Sequence, residues 1–63
     1  MSKSTAREVN SVKLYMAHGM VDTAARAASA LVRCAASTKA RNELMAIFAG
    51  WPALIQHPEF IAA

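Results

Sequence analysis

The chain has 63 residues and a single cysteine, so it forms at most one domain and has no internal disulfide to brace it. Hydrophobic residues make up 56% of it, but fifteen of them are alanine, and the remaining twenty or so supply one thin core or a shared interface. Net charge is +3, with seven lysines and arginines against four acids, which favours partners other than a basic surface.

Chains this short usually depend on disulfides, a metal or a partner. The only soft ligands are His18, Cys34 and His57, and no two of them stand at a metal-binding spacing. No metal or cofactor is implied, and association with a second copy or a larger protein becomes the expectation. The N-terminal stretch MSKSTAREVN is polar and carries Glu8 before any apolar run, unlike a secretory leader. The longest charge-free apolar run, Leu44 to Ile55, contains Gly50 and Pro52 and is too short to span a bilayer. A cytoplasmic protein is expected, with an interfacial role for the run around Trp51 the weaker alternative.

In chain order, Thr5-Ala6-Arg7-Glu8 has the form of a capping box and predicts a first helix over 5–18. Gly19 then suits a left-handed position after the helix. Val9, Val12, Met16 and Met20 fall within about 80° of one another and form its buried stripe; Leu14 and Tyr15 lie off it.

The second helix is predicted over 22–36, capped by Asp22. Ala24, Ala28, Leu31, Val32 and Ala35 share one face, and Asp22, Arg26, Ser29 and Arg33 the opposite one. Continuing this helix in phase would bury Lys39, Asn42 and Glu43. A new stripe of Ala40, Leu44, Ile47, Phe48 and Trp51 appears instead. The change of phase predicts a break at Ser37-Thr38 and a third helix over 39–49.

Gly50 and Pro52 end that helix, and Pro52 suits the first position of a short helical segment. Short turns are predicted over 52–61, broken at His57-Pro58, and their large apolar residues should fold back over the helices or pack on another subunit. The fold class is therefore all-α: a three-helix bundle with a short fourth segment, expected to pair as a homodimer. Helix 2 should be central, because its alanines allow close approach.

Catalysis is not supported by the residue pattern. Cys34 has basic neighbours in Arg26 and Arg33 but no base to activate it. His18 and His57 read as a helix-terminal and a turn residue. Glu8, Asp22, Glu43 and Glu59 form no pair at helical spacing, so no general acid and base are suggested.

Two binding functions follow instead. The surplus of large apolar residues after Gly50 points to a protein–protein interaction module, an adaptor or inhibitor of a larger assembly, with Trp51, Leu54, Ile55 and Phe60 as its contact residues. Alternatively, the basic surface points to a nucleic-acid-binding regulator using Arg26, Arg33 and Arg41 on phosphate. The two are separated by whether those arginines converge.

Overall fold

A computed structural model describes residues 2–60. Four helices follow one another: α1 (Lys3–Ala17), α2 (Val21–Arg33), α3 (Thr38–Phe48) and α4 (Pro52–Ile55), with no strand among the described residues. The chain is an all-α bundle of three helices with a short fourth.

α1 begins earlier than its capping box predicts. Ser2 is the N-cap, and its hydroxyl oxygen accepts the Thr5 backbone N–H at 3.2 Å. The Ser2 and Thr5 hydroxyls are also hydrogen-bonded, at 2.9 Å. Thr5 thus occupies the third helical position, where a capping box would place Glu or Gln. An equivalent hydroxyl one turn upstream lets the helix take in Lys3 and Ser4. At the other end, Gly19 has φ +74°. The Met20 N–H donates to the Tyr15 carbonyl and the Gly19 N–H to the Met16 carbonyl. These two bonds define a Schellman motif, which requires a residue tolerant of positive φ.

The Asp22 cap does not form. α2 starts at Val21 with Met20 in the cap position and no side-chain cap bond. Asp22 sits inside the first turn, where a carboxylate still opposes the positive end of the helix dipole. α2 also stops at Arg33, three residues short of prediction. Ser37 adopts an extended conformation and caps α3 by accepting the Ala40 N–H at 3.1 Å. The chain must turn before that cap, and the alanines preceding it permit a helix without enforcing one. The break at Ser37-Thr38 and the third stripe both hold: Leu44 and Phe48 are buried, and Ala40, Ile47 and Trp51 are half-buried.

α2 is central and packs against each of the other three helices. The core comprises Val12 from α1, Ala24, Ala25, Ala28 and Val32 from α2, Leu44 and Phe48 from α3, and Leu54 from α4. Half of its members come from α2, and three of those are alanines, so the neighbouring helices close on backbone rather than on bulk. Ala28 has no exposed surface. Ala28→Leu should therefore overpack the core and cost about 1–3 kcal/mol, read as a lower midpoint in urea denaturation.

The C-terminal segment folds back over this core. Pro52 opens α4 as predicted. A further turn follows, in which the Phe60 N–H donates to the His57 carbonyl at 3.0 Å. Ile61, included in the predicted final turn, lies outside the described residues. Phe48 becomes the hub of an aromatic group, with Trp51 tilted against it and Phe60 edge-on, each at a centroid distance of 6.0 Å.

Candidate functional site

The four predicted contact residues are placed unequally. Leu54 is fully buried within its own chain. Trp51 and Phe60 are half-buried against the core. Ile55 alone is exposed, at 38%. Much of the apolar surplus after Gly50 is thus used internally. Among the described residues, the other large apolar side chains that remain exposed are Leu14 and Met20, so the predicted stripe of α1 stops short of Met20.

The polar face of α2 is what holds the C-terminal segment. Asp22 Oδ1 lies 2.6 Å from His57 Nε2. His57 Nδ1 accepts the Glu59 backbone N–H at 3.0 Å. The Ser29 hydroxyl, buried despite its predicted outward position, donates to the Glu59 carbonyl at 2.9 Å. Because Nδ1 accepts, the ring proton sits on Nε2 and is donated to the Asp22 carboxylate. An Asp–His pair thus arises from residues that show no local signal in the sequence.

The pair superficially suits acid–base chemistry. A histidine base needs one nitrogen held by the carboxylate and the other free to take a proton. Here the second nitrogen is engaged by the backbone, and the nearby Ser29 hydroxyl is directed at a carbonyl. The arrangement ties down the chain end. Ser29→Ala should accordingly cost about 0.5–1.5 kcal/mol and loosen the 57–60 turn, visible as faster amide exchange at Phe60.

Arg26, Arg33 and Arg41 are all exposed. Arg26 and Arg33 stand seven residues apart on one face of α2, the same face that carries Asp22 and Ser29. Arg41 belongs to α3. His18 caps the C-terminus of α1. No group of three or more metal-ligating side chains comes together among the described residues, and no helix among them is long and apolar enough to cross a membrane.

A concave surface lies on the other flank of α2. A hollow of about 360 Å³ runs between α1 and α2, walled by Glu8, Ser11 and Tyr15 and floored by Ala27, Ala30, Leu31 and Cys34. A second, of about 290 Å³, shares Glu8, Leu31 and Cys34 with the first and extends toward Ser2 on α1 and Ala40 and Glu43 on α3. The two meet at the shared residues and make one trough. A signal for it exists in the sequence: Ala27, Ala30 and Cys34 lie between the buried stripe and the charged face of α2, beside Leu31 at the edge of that stripe. Cys34 is an exposed free thiol on this flank.

No protein-family model matches the chain, and comparisons with curated proteins and with solved structures find no significant similarity.

Proposed function

We propose that this chain is a non-enzymatic protein–protein interaction module, acting as an adaptor or inhibitor of a larger assembly. The observation that carries this reading is the apolar-floored trough between α1 and α2, a concave surface on a chain that offers no free catalytic pair beside it. Leu54 is buried within its own chain, while Trp51, Ile55 and Phe60 keep exposed surface that a partner can reach. The trough is the main contact surface in this reading. Self-association is the narrower form of the same reading.

Nucleic-acid binding has less support. The face of α2 carrying Arg26 and Arg33 is shared with Asp22 and Ser29, which anchor the C-terminal segment, and an aspartate at that place repels phosphate. A cytoplasmic location is proposed on the same footing as the function; a free exposed thiol at Cys34 suits a reducing compartment.

Size-exclusion chromatography with light scattering on the protein purified gently from its native host tests the module reading. A particle larger than the 6.7 kDa monomer is expected. A bare monomer under those conditions overturns it.

A further inference from the structure

We propose that the trough between α1 and α2 receives a basic amphipathic helix from a partner protein. This deepens the interaction-module reading and rests on it.

The shape fits a helix. Along α1 the trough runs from Ser2 to Tyr15, which at 1.5 Å per residue is a path of about 20 Å, or three to four turns of a docked helix. Its floor is apolar and built largely from alanines, with Leu31 as the one large aliphatic side chain shared by both hollows. Small floor residues let a second backbone come close, so the occupant can bring larger apolar side chains of its own.

The charge fits a cation-bearing partner. Glu8 borders both hollows and Glu43 borders the second, while no lysine or arginine lines either. Two of the four acids of a net-positive chain are therefore gathered at one groove. A partner helix with apolar residues on its inner face and lysines or arginines along its flanks satisfies both features. A second copy fits less well. A two-fold interface applies the same patch to itself, which would set the glutamates of one copy against those of the other. Phosphate-bearing ligands meet the same repulsion.

The test uses the full chain and two fluorescein-labelled designed peptides of about 14 residues. Both carry leucine and alanine on one face; one has lysines on its flanks and the other glutamates. Fluorescence anisotropy should show the lysine peptide binding at least about fivefold tighter, with the difference shrinking as salt is added. The double variant Glu8→Lys, Glu43→Lys should invert the preference. Ala30→Trp, which fills the trough from an exposed position, should abolish binding of both peptides while the circular dichroism spectrum stays helical. Equal binding of the two peptides, binding of neither, or indifference to Ala30→Trp overturns the proposal. A dimer that Ala30→Trp dissociates also overturns it, in favour of a second copy. If the particle isolated from the native host survives Ala30→Trp, the trough is not the docking surface and the module reading stands. If no such particle exists, the module reading itself fails.

Discussion

Phe48→Ala should remove a large share of the chain's stability and sharply lower its urea midpoint. Phe48 has no exposed surface and contacts the rings of both Trp51 and Phe60. Truncating a buried phenylalanine costs about 3–5 kcal/mol, through lost transfer free energy and the cavity left behind. At about 0.05–0.15 kcal/mol per residue, a domain of this length holds only some 3–9 kcal/mol in total. The loss is thus a large share of all the stability there is. The alanine-rich face of α2 makes relaxation into the cavity difficult, since there are few long side chains nearby to swing in. Trp51 is the only tryptophan and leans on this ring. Along a urea titration its fluorescence should shift to the red together with the loss of far-ultraviolet helical signal, at a much lower midpoint than in the unsubstituted chain. An unchanged midpoint would mean that Phe48 is not the hub of the core.

Leu54→Ala should behave as a core mutation. Read from the sequence alone, Leu54 belongs to a segment that either folds back over the helices or contacts a partner. In the structure it is fully buried, on the short helix that closes over α2 and α3. Its truncation should cost about 2–5 kcal/mol in the isolated chain, read from urea denaturation. Ile55→Ala is the matched control. It removes a residue of similar size from a position 38% exposed, and its effect should be well under that of Leu54→Ala. Equal and small effects at both positions would show that α4 is not docked on the core.

The elements most legible in the sequence were those set by local chemistry. Gly19 announced a left-handed position, the Ser37-Thr38 pair a helix boundary and Pro52 a helix start, and each works through atoms within a few residues of itself. The stripe of Leu44, Ile47 and Phe48 was also legible, because large apolar residues at helical spacing leave few alternatives. α2 was read less well. Ala25 is buried although it lay off the predicted stripe, and Ser29 is buried although it was assigned to the polar face. A helix that touches three others buries a band, not a stripe, and alanine and serine are small enough to fit inside or outside it. The start of α1 at Ser2 was missed, because Thr5 offers a hydroxyl chemically like that of Ser2.

The candidate site was legible only in part. The apolar flank of α2 was present in the spacing of Ala27, Ala30, Leu31 and Cys34, but α1 and α3 had to be placed beside it before it became a trough. The Asp22–His57 pair joins residues 35 positions apart, and neither end carries a local signal of the other. The same limit applied to the C-terminal segment, whose apolar residues read equally well as cover for the core or as a surface for a partner.

That long-range closure also bears on the order in which the chain is made. The aspartate end of the clasp, near the start of α2, is synthesised well before its histidine. A chain elongated only as far as Ala49 already contains Phe48 and the whole buried face of α2. It lacks Leu54 and Phe60 to cover them, and His57 to fasten the cover. Closing a loop of this length costs chain entropy before it returns any contact. The nascent protein therefore passes through a stage in which its most apolar residues stand uncovered, and that stage ends only when residues 51–60 clear the ribosome.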